Sequence, residues 1–500
     1  MLSVELSAYL ALKALALALV PYYIGFAIYN VFFHPLRRYP GPRLMAVSRL
    51  PIVFGVMTGH STGWINQMHA KYGPVVRVAP DELSYASASA WKDIYGSHPA
   101  RPGGMPRDMT FFRSVEDQNG IHSILSANNE DHARMRRLYA QALSKRALAQ
   151  QEPLILGHVN RMMEKLALAA AQKQPVDIVD MFNFTLFDVV CDLQFGESLH
   201  LLDDPTYHPW VRSHLGVIRS ASLLASLIEF PILRILFNLT LPRLVKTERE
   251  SYFQMLNARL DHRLSAGVKR PDLVHFVMEA RTEADGISEG ELRATAPIIM
   301  MAGSETSSTA LSGWMAHMLQ QPEMLRQVQH EVRAKYRSSE DISMQTLKDL
   351  PLLDACIKEA LRAYAAVPGI LPRIVPAPGA TISGDWVPEG TRVYVTPLAA
   401  FRSAANFHEP ERFAPERWFT QPEKQYAQDQ RDACKPFSVG TRDCVGREMA
   451  QYMMLLILCN LILHFDFETV PANETWFSGQ RIWTIWDKPA LMVKLIPVRA

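Results

Sequence analysis

Five cysteines are scattered along this 500-residue chain, at positions 191, 356, 434, 444 and 459. Cys444 is set apart by its neighbours. It lies in PFSVGTRDCVGREMA, between Gly440 and Gly446 and between Arg442 and Arg447, just before an apolar run. A thiol held this way is available for metal ligation, nucleophilic attack or disulfide bonding. The odd, scattered cysteines argue against a disulfide framework. A reducing compartment suits them, with the other four read as small buried hydrophobes. A structural zinc site would want paired Cys or His ligands at short spacing, and the ten-residue interval between Cys434 and Cys444 holds no histidine. A nucleophile needs a histidine and an orienting group, which spacing alone does not reveal. One large flat cofactor needs a single thiolate, with positive charge and backbone dipoles to stabilise the sulfur. Gly440 and Gly446 permit a tight turn and close approach of such a ligand. The helix from about Val445 directs its positive end at the sulfur, and Arg442 suits an anionic group on the ligand.

Three further constellations invite a chemical reading. In KEALR, Glu359 and Arg362 are three apart and share a helix face, so they form an ion pair; on the surface such a pair contributes little. AGSETS, Ala302 to Ser307, puts a glycine and hydroxyls inside a helical segment, where Gly303 costs about 1 kcal/mol relative to alanine and the hydroxyls bond back to carbonyls. In DHARMRR, His132 and Arg136 are four apart on one helix face.

The elements that must position these groups are mostly helical. From about Asn129 to Tyr336 the apolar periodicity is that of helices. SEGELRATAPIIMMAGSETSSTALSGWMAHMLQ opens with Ser288 and Glu291 in capping-box spacing and predicts a helix of about thirty residues. Pro322 opens the next one. PVVRVAP and ELSYAS read as a strand pair around Pro80-Asp81, and TISG, TRVYVTP, IWTIW and LMVKLIPV read as strands. No repeat or low-complexity block interrupts the chain. The economical fold is one large, mainly α domain with a minor β-sheet region (α+β). Hydrophobic residues at 48% and charged residues at 20% fit a large globular core. A net charge of +2 excludes an electrostatically driven nucleic-acid binder.

The cysteine loop then carries a specific resemblance. Phe437, Gly440, Arg442, Cys444 and Gly446 fill every fixed position of the haem-binding signature of the cytochromes P-450, and the likeness runs from about Tyr39 to the C-terminus. It implies the P-450 fold, with the long central helix over a haem b whose iron takes the Cys444 thiolate as axial ligand, the thiolate pushing electron density that favours O–O cleavage. Glu359 and Arg362 match the family's glutamate-x-x-arginine pair, and Arg417 in APERW matches the arginine that completes a buried structural triad. Glu305 and Thr306 match the acid-alcohol pair of the oxygen groove, which relays protons, with a bulge at Ala302 and Gly303 exposing the groove. Arg373, Arg442, Arg136 and His132 match the haem-carboxylate partners; His132 stands where the family usually carries tryptophan. The implied substrate pocket includes Ile298, Ala302, Val367, Ile370, Leu371 and Ile482, mostly apolar, for a lipophilic substrate. The implied partner is an NADPH-dependent cytochrome P-450 reductase docking near Arg134, Arg137, Lys145, Lys435 and Arg447, with O2 as co-substrate. SANNEDHARMRRLYAQALS and WDKPALMVKLIPV are most similar to fungal enzymes of secondary metabolism, which oxidise terpenoid, polyketide or alkaloid scaffolds. Two other classes stay open: a member that isomerises or dehydrates without O2, and a non-catalytic haem-binding membrane protein.

The N-terminus predicts a membrane anchor. From Leu6 to Phe33 the only charge is Lys13, and the stretch is long enough to cross a hydrocarbon core of roughly 30 Å. Lys13 can snorkel at one end, and Tyr22, Tyr23 and Tyr29 suit the other. No small-x-small cleavage site follows. Arg37, Arg38 and Arg43 come next, which places the body in the cytosol as a single-pass protein of the endoplasmic reticulum. The expected organisation is an anchor (1–33), a stiff non-helical proline linker (34–43) and a catalytic domain (44–500).

Overall fold

The central helix starts where its capping box predicts. The Ser288 hydroxyl accepts the Glu291 N–H, the Glu291 carboxylate accepts the Ser288 N–H, and the helix runs Glu289–Leu319. The computed structural model describes residues 13, 17, 20–98, 101, 103–113, 120–227, 229–230, 246–267, 269–279 and 286–498. Within it the central helix packs most extensively on the helix Ile178–Phe195, and also on Pro351–Ala363 and Arg447–His464. Phe182, Leu186, Phe187, Met300, Leu311, Trp314 and Met315 are buried in the shared core. Each such side chain contributes about 1.5–3 kcal/mol by leaving water, and burial of most of the helix surface explains why it shows no simple two-faced pattern.

The predicted bulge at Ala302 and Gly303 is absent: the helix is regular α throughout. Gly303 has a different task. A Cβ there would lie 2.9 Å from Cγ2 of Val190, so the missing side chain lets the two helices close up.

Val75–Ala79 and Glu82–Tyr85 pair antiparallel, as expected around Pro80-Asp81. Arg392–Val395 joins them in parallel, and Arg373–Ile374 completes a four-stranded sheet on its far edge. IWTIW is two strands rather than one. Arg481–Trp483 and Ile485–Asp487 pair antiparallel about Thr484, whose φ of 68° reverses the chain. The last strand, Met492–Pro497, pairs with Phe465–Thr469 and Val176–Asp177. The helix Pro322–Lys335 begins on its proline as predicted.

The linker is not wholly non-helical as expected: it holds a 3-10 turn, Pro35–Arg38, in which His34 Nδ1 accepts the Leu36 N–H. Of the predicted membrane span, residues 1–12, 14–16 and 18–19 lie outside the described residues. Residues 20–32 are helical, with Tyr22, Tyr23, Ile24, Phe26, Ile28, Tyr29 and Phe32 exposed. Among the described residues no helix is long and apolar enough to cross a membrane.

Candidate active site

Two backbone features shape the cysteine loop. Gly440 has φ +88°, and a Cβ there would sit 2.0 Å from the Tyr95 carbonyl oxygen. Only glycine fits both the left-handed turn and the approach. The Cys444 N–H donates to the Phe437 carbonyl at 2.9 Å, closing the loop. Gly446 then caps the helix Arg447–His464, which starts two residues later than predicted. Phe437 packs against the main core with the Arg447 guanidinium 5.6 Å from its ring centre. Cys444 is exposed, whereas the other four cysteines are buried. Surrounding protein nevertheless raises its thiol pKa by desolvation, opposed by the Gly446 N–H and by Arg447 and Arg136. The thiol is therefore exposed yet close to surrounding protein.

Behind the loop, Glu359, Arg362 and Arg417 form the expected triad, all fully buried. Arg362 donates to both Glu359 carboxylate oxygens at 2.9 and 2.7 Å, and Arg417 Nε donates to Oε1 at 3.1 Å. Sequence reasoning missed two partners. Asp429 pairs with Arg417, and the Trp418 indole donates to Glu359 at 2.8 Å. Asp429 balances the second arginine, so the buried cluster is neutral. Its only sequence signal is an acid following the APERW segment.

On the central helix Glu305 and Thr306 diverge. The half-buried Thr306 hydroxyl donates to the Ala302 carbonyl at 2.7 Å. Glu305 is buried and pairs with Lys488, whose side chain is 2% exposed. Lys488 also donates to the Thr309 hydroxyl at 2.8 Å, and Thr309 donates to Glu305 at 3.4 Å. Adjacent helical residues point about 100° apart, so acid and alcohol share no hydrogen bond. Lys488, in the segment WDKP, was not singled out from sequence.

The expected carboxylate partners do assemble. Arg442 donates through Nη2 to the Ala127 carbonyl and to Asn129, both at 2.9 Å, while its buried Nη1 has no hydrogen-bond partner among the described residues. Arg373 is buried, its ring-facing guanidinium 5.4 Å from the Tyr95 ring centre, and its Nε is likewise unpartnered among them. The His132 imidazole is pushed down to about 3 by burial and then by Arg442, Arg107, Arg136 and Arg373. Burial and Arg373 together lower Arg442 to about 10. Arg136 instead reaches Asp443, pairing with its carboxylate and donating to its carbonyl at 2.6 Å. Buried cations with unspent donors are costly unless an anion joins them.

Of the predicted pocket residues, Ile370 and Ile482 line a cavity of about 100 Å³ together with Phe111, Gly369 and Thr484. Ile298 is buried in the main core, Ala302 is exposed beside Thr306, Leu371 packs under the sheet and Val367 is half-buried; none of the four lines this cavity. Its wall is less apolar than expected. Arg392 pairs with Glu229 at 2.6 Å and with Glu82 at 3.3 Å, and Arg49 with Glu82 at 2.5 Å. The expected basic docking patch is largely compensated: Arg134 pairs with Glu291, Lys145 with Glu448, Lys435 with Asp432 and Arg447 with Asp443.

Residues 42–491 match the family profile described as cytochrome P450. The chain belongs to the cytochrome P450 family. Its relatives among well-described proteins include the cytochrome P450 monooxygenase aneG of Aspergillus aculeatus, 41% identical over 96% of this chain and 90% of that one. The cytochrome P450 monooxygenase stcF of Emericella nidulans is 40% identical over 96% of this chain and 99% of that one. The averantin hydroxylase of Dothistroma septosporum is 38% identical over 96% and 90%. The chain is accordingly a haem-thiolate monooxygenase similar to fungal enzymes of secondary metabolism. Membership in the P450 family implies a haem iron, and the residues present fit one: Cys444 is exposed, a Cβ on Gly446 would meet no protein atom within 4 Å, and the unspent donors of Arg442 and Arg373 suit two carboxylates.

Proposed function

We propose that this P450 inserts one oxygen atom of O2 into a lipophilic secondary-metabolite scaffold of the terpenoid, polyketide or alkaloid kind, with electrons from an NADPH-dependent reductase. The observation that carries this reading is the pairing of one exposed cysteine with the buried, unspent guanidinium donors of Arg442 and Arg373. When bound there, haem supplies dioxygen activation and the redox chemistry. The protein's residues do the rest. Cys444 would hold the iron as thiolate; desolvation opposes that state, and the Gly446 N–H, Arg447 and Arg136 favour it. Arg442 and Arg373 would hold the carboxylates, with His132 as a nearby donor and Arg136, bound to Asp443, as a nearby cation. The Thr306 hydroxyl, which donates to the Ala302 carbonyl, would orient a water and pass protons. Glu305, paired with Lys488 and Thr309, is the neighbouring acid.

Retention of both Glu305 and Thr306 favours oxygen activation over isomerisation or dehydration, and both over a passive haem carrier. Membrane attachment through residues 6–33, with the catalytic domain on the cytosolic face of the endoplasmic reticulum, is part of the same proposal. The exposed apolar side chains of 20–32 support it. The test is reconstitution with a P450 reductase: NADPH-dependent oxygen uptake coupled to product is expected. Product formed without oxygen uptake would overturn the monooxygenase reading. The reduced protein with carbon monoxide should absorb near the strongly red-shifted thiolate position, and Cys444→Ala should lose that band.

A further inference from the structure

The residue before the thiol is an acid, and nothing in the ligand set requires one there. A carboxylate beside a thiolate is repulsive unless cations neutralise it. Asp443 has two. One carboxylate oxygen pairs with Arg136 of the helix Asn129–Ala142. The other accepts from Arg447 Nη2, in the first turn of the following helix, at 2.9 Å. The Asp443 carbonyl takes a further bond from Arg136 Nη1 at 2.6 Å. Both arginines are fixed from other sides. Arg447 lies against the Phe437 ring. The Asn129–Ala142 helix is tied to the start of the central helix, where Arg134 pairs with Glu291 and donates to the Gly286 carbonyl at 2.6 Å. One helix therefore joins the central helix to the cysteine loop, and Asp443 is a point of attachment beside Arg442, which bonds Asn129 at the start of that helix.

We propose that Asp443 is a positioning residue for the Cys444 thiolate, clasping Arg136 and Arg447 so that the loop is held between two helices and a defined charge sits beside the sulfur. The proposal rests on Cys444 as the haem ligand. The clasp carries one net positive charge: two with Asp443 neutralised, none with Arg136 neutralised. Reduction adds negative charge at the iron, so extra positive charge nearby favours the reduced state and raises the potential.

The experiment uses full-length holoprotein. Midpoint potential, the carbon monoxide difference band and thermal unfolding are measured for Asp443→Asn, Arg136→Gln, Arg447→Gln and the Asp443→Asn/Arg136→Gln pair. The potential is expected to rise in Asp443→Asn, fall in both single arginine variants and return towards wild type in the pair. The Tm loss of the pair should be smaller than the sum of its singles, because both singles break one contact. Unchanged potentials in haem-loaded variants, or Tm losses that add in full, would overturn the clasp. If Asp443→Asn does not load haem, Arg447→Gln decides alone: it leaves the Arg136 bonds in place, and an unshifted potential would reject the proposal. A wild-type band in Cys444→Ala would instead remove the ligand assignment itself, which separates the two failures.

Discussion

The Glu305 carboxylate and the Lys488 ammonium show how one residue from a distant strand-end loop can decide the state of a site. Both are nearly inaccessible, and removing one partner of such a pair strands the other charge at a cost of about 3–5 kcal/mol. Lys488→Met should therefore lower Tm sharply, and the compensating pair Lys488→Met/Glu305→Gln should recover much of the loss. Full additivity in thermal melts would refute the pairing. Thr306→Ala, by contrast, should keep the carbon monoxide spectrum while diverting reducing equivalents to peroxide, read by peroxide yield per NADPH. His317 gives a pH signature. It is stacked between Phe413 and Phe477, and burial, with Arg402 and Arg362, holds its pKa down to about 3. The unfolded histidine titrates near 6.5, so below that pH the unfolded chain binds the extra proton first. The neutral ring's contribution is complete above about 6.5 and is lost as pH falls from there towards 3. His317→Phe should flatten that part of the stability profile, measured by denaturant melts across pH 4–7.

At the scale of elements, two glycines set how closely pieces approach. Gly303 lets the central helix meet Val190, a side chain that can yield, so Gly303→Val should cost about 1–3 kcal/mol by overpacking. Gly440 meets the Tyr95 backbone in a left-handed turn, where neither partner relaxes. Gly440→Ala should impair haem loading more than stability of the helices, read as the ratio of Soret to protein absorbance against far-ultraviolet ellipticity. The triad ties elements in the same way. Arg362 also bonds the carbonyls of Phe401, Pro410 and Arg412, and so binds its helix to the long segment before the cysteine loop.

At the scale of the whole molecule, a mainly α body carries a helix at residues 20–32 most of whose large apolar side chains are exposed. Removing residues 1–33 should shift the protein from the membrane to the supernatant fraction after cell lysis, with the carbon monoxide spectrum retained. A truncated protein that still sediments with membranes would show that another surface holds it there.

Much of this was legible in the chain. The central helix, its capping box, the Pro322 start and the first strand pair follow from local rules, because caps, prolines and alternation act within a few residues. The cysteine loop and the Glu359–Arg362 pair are short-range spacings and were equally readable. What the tertiary structure alone decided joins residues that no local spacing rule connects: Lys488 to Glu305, Asp429 to Arg417, Arg136 to Asp443, Gly303 to Val190. No local pattern encodes these, since a buried charge takes its partner, and a small residue its neighbour, from whichever element the fold brings alongside.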